Sequence, residues 1–418
     1  MSKRKTKKLK ELISFQKKGI TPSYSEFGQK TILVLNQKCN RNFSINLDFA
    51  SYNDLTKKKV ASDLVLRHGD ILINSTGKGT LGRVAQYFGT AQQVTVDSHM
   101  LIMRPTEELD TTFFGYALKQ YQEILMSKGI GSSGQEELDK ISLNEISISY
   151  PSDKEEQKNI AAILTALDTK ISINKKLNDN LEAMAQALYD YWFVQFDFPD
   201  ENGKPYRSSG GKMVWSDELK KEIPQGWKVK RLQEVVDTCL GGTPDTKNVA
   251  YWEKGSIPWV SSGDLVSNPL LKATGYITQT GLDNSAAKLM PRGTVVVSLV
   301  RYIRPSILGI VAAGNQSVVG LFASEGFPTC FLYPYLKREV PRLMSIRTGA
   351  QQPHINKTVI DSSWILYPQD RSIMRAYVSR VAPMYEKLLN VTKNTELLIQ
   401  QRDSLLPLLM NGQVQVKL

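Results

Sequence analysis

Apolar positions recur at three- and four-residue steps through one long stretch in the middle of the chain, Pro151 to Phe196. Ile160, Leu164, Leu167 and Ile171, then Ile173, Leu177, Leu181, Met184, Leu188 and Tyr191, lay a stripe along a helix. Ser152-Asp153-Lys154-Glu155-Glu156 supplies a capping residue and early acidic side chains, and no proline follows until Pro199. About 44 residues at 1.5 Å each make this helix roughly 65 Å long. A helix of that length outruns an ordinary core and calls for a partner helix.

A matching run follows Pro368. Gln369 to Met410 carries Tyr377, Val381, Met384, Leu388, Val391, Leu398 and Leu405. Shifted back by 217 positions, Pro368 falls on Pro151, Val381 on Leu164, Met384 on Leu167, Leu388 on Ile171, Leu398 on Leu181 and Leu405 on Leu188. The repetition extends upstream. Gly19-Ile20-Thr21-Pro22 answers Gly241-Gly242-Thr243-Pro244, and Gly69 to Ile73 answers Gly293 to Val297. Leu81 to Ala85 answers Leu308 to Ala312. Gly131 to Gln135, with Ile141 beyond, answers Gly349 to Gln352, with Ile355 and Val359 beyond. A period of this size is a tandem duplication of whole units.

Between the helical runs lie short β-rich segments (Thr31–Leu35, Asp70–Asn74, His99–Arg104), glycine loops and a helical pattern at Thr112–Met126, with no regular βαβ alternation. The expected class is α+β: two α/β globules separated by two long antiparallel, coiled-coil helices, with an internal pseudo-repeat. The boundaries are 1–150 for the first globule, 151–198 for the central helix, 199–366 for a linker and second globule, and 367–418 for the last helix.

Composition narrows the functional classes. Of 418 residues, 41% are hydrophobic and 22% charged, as in an ordinary soluble protein with room for two or three cores. No apolar run is long enough to span a membrane. Three scattered cysteines, Cys39, Cys239 and Cys330, make neither a disulfide frame nor a zinc spacing and fit a reducing, cytoplasmic setting. The formal net charge of +12 points to a polyanion, with nucleic acid ahead of an anionic membrane surface. Six of the first ten residues are basic (Lys3, Arg4, Lys5, Lys7, Lys8, Lys10), as a solvated tail or a phosphate-contacting arm would be.

Catalytic constellations are scarce. Gly77-Lys78-Gly79-Thr80 lacks the first glycine and the final Ser/Thr of a phosphate loop. His68, His99 and His354 form no metal-binding spacing. Asn268-Pro269-Leu270 lacks the second proline and aromatic of an adenine-methyltransferase tetrad. Asp200, Glu218 and Lys220 fit the loose spacing of a Mg²⁺-dependent endonuclease and stand as the alternative enzyme reading.

Side chains able to read DNA are spread through both globules. The first offers Lys78, Arg83, Arg104 and Gln135; the second offers Arg301, Tyr302, Arg304, Gln351, Gln352 and His354, with Arg338, Arg342 and Arg347 nearby in sequence. Arginine can grip guanine with two donors, glutamine can read adenine, and lysine mostly neutralises phosphate. The aromatic end of the first helix exceeds what a pair of helices can cover. Tyr191, Trp192, Phe193 and Phe196 are therefore expected to bind a partner.

Several of these residues carry a family likeness. Ser147-Ile148-Ser149-Tyr150-Pro151 leads into Gln157, Asn159, Ile160 and Ala161, with Leu167-Asp168 beyond. Leu188-Tyr189-Asp190-Tyr191-Trp192-Phe193, Asn202-Gly203-Lys204-Pro205-Tyr206 and Ile223-Pro224-Gln225-Gly226-Trp227 follow. With the duplication, the chain resembles the specificity subunit of type I restriction–modification systems over essentially its whole length. Two departures are Ile20, where the second copy has Gly242, and Arg371-Ser372-Ile373-Met374 at the start of the second helix. The resemblance implies two target-recognition domains, each reading half of a bipartite double-stranded DNA site, and no catalysis by the chain itself. It also implies docking of two DNA adenine methyltransferase subunits and of restriction subunits. S-adenosylmethionine, ATP and Mg²⁺ would then belong to those partners, in a system that methylates DNA and defends against foreign DNA.

Overall fold

The computed structural model describes residues 3–77, 79–89, 92–130, 136–349 and 351–414. The chain forms two compact units. Unit 1 comprises Met1–Ile171 with Leu397–Leu418, and unit 2 comprises Ser172–Glu396. The division between the units falls within each long helix, after Ile171 and after Glu396.

In unit 1, the strands Ile13–Lys18, Met100–Pro105, Ile71–Asn74 and Val84–Gln86 form an antiparallel sheet in that order. A second sheet runs Val94–Val96, Thr31–Leu35, Ser51–Asp54, Tyr24–Ser25, its first pair parallel. Unit 2 repeats the plan. Thr238–Leu240, Val318–Leu321, Val295–Ser298 and Pro305–Ile307 form its first sheet. Gly275–Ile277, Ile257–Val260, Ala312–Gly314 and Leu289–Met290 form the second, with a parallel pair at Ile257–Val260 and Ala312–Gly314. The central strands Ile71-Leu72-Ile73-Asn74 and Val295-Val296-Val297-Ser298 are buried on both faces, which their β-branched, apolar composition suits.

The glycine turns explain why the duplication is visible in sequence. Gly19 donates its N–H to Met100 O and Ile20 to Val96 O; Gly241 and Gly242 do the same to Val318 O and Gly314 O. A Cβ on Gly19 would lie 2.0 Å from Val96 O, and one on Gly241 2.3 Å from Asn315 O. Ile20 keeps the turn by tucking its side chain into the core.

Elsewhere the sequence register needs correction. Tyr87, not Leu81, is the counterpart of Leu308: Tyr87 and Leu308 donate to Asp70 O and Thr294 O and accept from Gly69 and Gly293. The hairpin loops differ in length, 75–83 against 299–304, which displaces the motif. Likewise Leu138, not Ile141, matches Ile355. Both are buried and both donate to the hairpin, whereas Ile141 is exposed. The pattern at Thr112–Met126 divides into helices Thr111–Gln120 and Gln122–Met126, broken at Tyr121.

The long helices span Lys154–Tyr189, followed by a π-helical turn at Asp190–Val194, and Arg371–Met410. Asp153 and Asp370, 217 positions apart, each accept from a first-turn N–H, of Glu155 and Ser372. In unit 1, Ile160, Ala161 and Leu164 share a core with Leu406, Leu409 and Met410, and Arg402 donates to Asp168 at 2.8 Å. In unit 2, Ala185, Tyr189, Trp192 and Phe193 share a core with Met374, Tyr377 and Val381, and Asn178 donates to Thr392 at 2.8 Å. Within each unit the helices run antiparallel. The sequence stripe changes phase after Ile171, and the structure follows it: Ile171 is buried, while Ile173 and Met184 face out.

The basic start of the chain is neither a tail nor an arm. Arg4–Lys8 pairs with Ser147–Pro151, Lys5 and Lys7 meet Glu108, and Lys8 and Lys10 meet Glu145. The two lysines, with Tyr150, pull the Glu108 carboxyl down to about 2. The three cysteines are free and buried. Among the described residues no helix is long and apolar enough to cross a membrane.

Candidate nucleic-acid interface

One rim of each unit is built from four loops stitched by backbone hydrogen bonds. In unit 2, the Gly-Gly-Thr-Pro turn bonds to Gly314 and Val318, Leu299 donates to Ser317 O, and Ile355 donates to Leu299 O. Arg301 donates to Pro353 O at 2.7 Å, and Val300 and Thr348 each bridge His354. In unit 1, Ser75 donates to His99 O, Leu138 donates to Ser75 O, and Thr76 bridges Glu137. The turn between parallel and antiparallel strands is the same device twice. His99 N–H donates to the Asp97 carboxylate at 3.0 Å, and Ser317 N–H to the Asn315 amide oxygen at 2.9 Å. Burial raises the Asp97 carboxyl above its ordinary range, a cost that Asn315 avoids.

Unit 2 brings its sequence candidates together. Arg301, Tyr302 and Arg304 stand exposed on the hairpin tip, with the Arg304 guanidinium over the Tyr302 ring at 4.9 Å. Gln351, Gln352 and His354 are exposed on the adjoining loop, and the His354 ring sits 3.2 Å from Gln352 O. The other arginines are engaged. Arg338 pairs with Asp190, Arg342 with Glu339 and the Ser363 hydroxyl, and Arg347 donates to Met344 O and Arg301 O.

Unit 1 is different. Arg104 is withdrawn from the candidate set, because its guanidinium grips the buried Asp70 carboxylate at 2.7 and 2.8 Å and lies over the Phe15 ring. Arg83 is half-buried and donates to Gly79 O at 2.8 Å. Lys78 and Gln135 lie outside the described residues. Rim groups that spacing did not reveal are Gln37, Thr76, Thr80 and His99. The Thr76 hydroxyl lies 2.9 Å from the His99 ring, and Gln37 accepts from Thr80 at 3.4 Å. In unit 2, Gln316, bonded to Thr243, was missed in the same way. These are single polar residues in loops, and only the backbone ladder makes them neighbours.

The aromatic end of the first helix needs a correction as well. Trp192, Phe193 and Phe196 fill unit 2's own core, against Trp227, Phe331 and Tyr377, so they present no surface to a partner. Their cover comes from the strand Trp227–Arg231, the helix Thr329–Ser345 and the start of the second long helix. Tyr191 remains partly exposed.

The model of the type I restriction modification DNA specificity domain matches this chain twice, over residues 1–183 and 224–397. The chain belongs to that family. DNA recognition within a type I restriction–modification system is the family's function. The chain is 29% identical to the type I restriction enzyme MjaIX specificity subunit of Methanocaldococcus jannaschii, over 69% of this chain and 65% of that protein. It thus spans just under two thirds of that relative's length. It is 23% identical to the HindI specificity subunit of Haemophilus influenzae, over 84% and 87% of the two chains. A crystal structure of the type I restriction-modification S subunit from M. genitalium shares the fold. The TM-score is 0.58 at 17% identity, covering 98% of this chain and 96% of that one.

The endonuclease alternative finds no support. Asp200 caps its own turn by accepting from Asn202 and Lys204, Glu218 accepts from Ser216, and Lys220 faces Asp217. Among the described residues, no group of three or more His, Cys, Asp or Glu side chains is placed to hold a metal ion.

Proposed function

We propose that this chain is the non-catalytic DNA-reading and assembly subunit of a cytoplasmic type I complex. Each unit reads one half of a bipartite double-stranded site through its loop rim. Two DNA adenine methyltransferase subunits, and restriction subunits in the full enzyme, dock on the chain and hold S-adenosylmethionine, ATP and Mg²⁺. The observation that carries this reading is the rim built twice from the same backbone bonds around different side chains. A scaffold that repeats its geometry and varies its exposed groups suits two readers of different sequences. Tyr191, with its partly exposed ring, stays a candidate partner contact.

The test exchanges residues 1–150 for the matching segment of another specificity subunit, with the cognate methyltransferase coexpressed, followed by methylome sequencing. One half of the methylated motif is expected to change while the other stays. A motif that changes in both halves, or in neither, would defeat the modular reading. Mass measurement of the copurified complex checks the docking of two methyltransferase subunits.

A further inference from the structure

The repeated backbone bonds put Gly77 of unit 1 and Arg301 of unit 2 at the same position, two residues beyond the donor-matched pair Ser75 and Leu299. Both adopt left-handed backbone, with φ of +99° at Gly77 and +59° at Arg301. Glycine takes this conformation without steric cost, while an arginine is strained there. Unit 2 nevertheless carries arginine, and the surroundings hold it in place. Its N–H donates to Pro353 O at 2.7 Å, and the Arg347 guanidinium donates to its carbonyl while also bonding Met344 O at 2.9 Å. The Ser298 hydroxyl accepts from Arg304 N–H at 3.0 Å and donates to Tyr302 O, and Ile303 is buried beneath the tip. The tip is therefore fixed from both sides, with Arg301, Tyr302 and Arg304 exposed. Neither Arg301 nor Arg304 meets an acidic side chain among the described residues.

Resting on the DNA-reading proposal, we propose that Arg301 is the specificity-determining residue of unit 2 and reads a guanine in its half-site, with Arg347 as its positioning residue. A phosphate contact needs only a flexible cation, for which a lysine on relaxed backbone serves. Two-donor recognition of guanine O6 and N7 needs a planar fork delivered at a set angle, which a clamped backbone provides. Tyr302 and Arg304, stacked together, are left to contact the neighbouring sugar-phosphate.

The test uses the full-length chain coexpressed with its methyltransferase, as wild type and as Arg301→Gly, Arg301→Lys and Arg347→Met. Arg301→Gly is expected to keep or raise the melting temperature, since it matches the residue that unit 1 uses. It should relax one guanine of one half-site to several bases in the methylome and leave the other half unchanged. Arg301→Lys should keep the charge and lose the same discrimination. Arg347→Met should weaken that discrimination partially, and in the Arg301→Lys background it should add little. On the defined wild-type target, 7-deazaguanine at that position should weaken wild-type binding at least tenfold and leave Arg301→Gly unaffected. An unchanged motif in Arg301→Gly would overturn the assignment and leave the DNA-reading proposal standing. So would uniform weakening on all sequences with a shallower salt dependence, which would make Arg301 a phosphate contact. A clearly lowered melting temperature in Arg301→Gly would overturn the argument from backbone strain. A wild-type complex with no bipartite motif would overturn both proposals.

Discussion

At the left-handed position of its hairpin, unit 1 carries Gly77, and the Gln37 side chain closes over it; unit 2 carries Arg301, pointing outward from a pinned tip. The contrast extends inward. Unit 1 buries the Asp70–Arg104 ion pair, and one register step from the paired strands unit 2 has Thr294 and Phe322 in those places. It also extends to the chain's start, where four lysines of unit 1 are matched to two glutamates. Counting cations along a sequence therefore says little about where a polyanion can bind. What matters is which cations the fold has already neutralised, and unit 1 neutralises many of its own.

The ion pair is the strongest place to break this comparison. Asp70→Thr alone leaves the Arg104 guanidinium largely buried without its partner and should cost about 3–5 kcal/mol. The double change Asp70→Thr with Arg104→Phe copies unit 2 and should recover most of the loss. Hydrogen exchange of unit 1 amides reads both, and equal losses in the two proteins would show that the pair is not a self-contained unit. The helix ends come next. Trp192→Ala should loosen unit 2 by about 3–5 kcal/mol and Leu409→Ala should loosen unit 1 by about 2–5 kcal/mol. Each effect should be confined to amides of its own unit, and spreading into both would contradict the division of cores.

A smaller effect sharpens the contrast at the tip. Gly77→Arg places a Cβ 2.5 Å from Gln37 Oε1 and from Thr80 Oγ1, on backbone at φ +99°. A loss of roughly 1–3 kcal/mol is expected, partly relieved by Gln37→Ala. If Gly77→Arg is neutral, the two tips are more alike than their contacts imply.

The smallest expected effect is a pH dependence. Lys119 and Lys337 stand eight residues after Thr111 and Thr329, at the same place in their helices. Lys337 bonds Glu182, whereas Lys119 makes no hydrogen bond, lies 3.8 Å from Asp168 and over the Phe43 ring, and is pushed by burial down to about 8. The folded state thus releases this proton at lower pH than the unfolded chain, whose lysine titrates near 10.5. Raising the pH from 8 to 10.5 therefore stabilises unit 1, on the order of 1 kcal/mol. Denaturant titrations across this window should show that gain, and Lys119→Met should remove it.

The duplication, the long helices and the family likeness were legible because they rest on local pattern: apolar period, glycine turns and contiguous motifs. The Gly19 and Gly241 turns were found because a carbonyl sits where a side chain would go. The fate of Arg104 was not legible, since its partner is 34 residues away and only strand register brings them together. Trp192 and Phe193 misled for the same reason: their cover comes from Trp227, Phe331 and Tyr377, remote in sequence. Arg301 was visible as a cation, but nothing in the sequence marked its backbone as left-handed. That required the aligned hairpins, whose loops differ in length.

The last turns of the second long helix lie in the core of unit 1. On a ribosome this reverses the order of completion. Unit 2 is one continuous stretch, Ser172–Glu396, and has all its parts before Leu406, Leu409 and Met410 are made. Unit 1 is begun first, yet it waits for Leu406, Leu409 and Met410, with Ile160 and Leu164 uncovered in the meantime. A stop codon anywhere between those for Glu396 and Leu406 would therefore spare the parts of unit 2 and leave the core of unit 1 open, although nearly all of unit 1 has already been made.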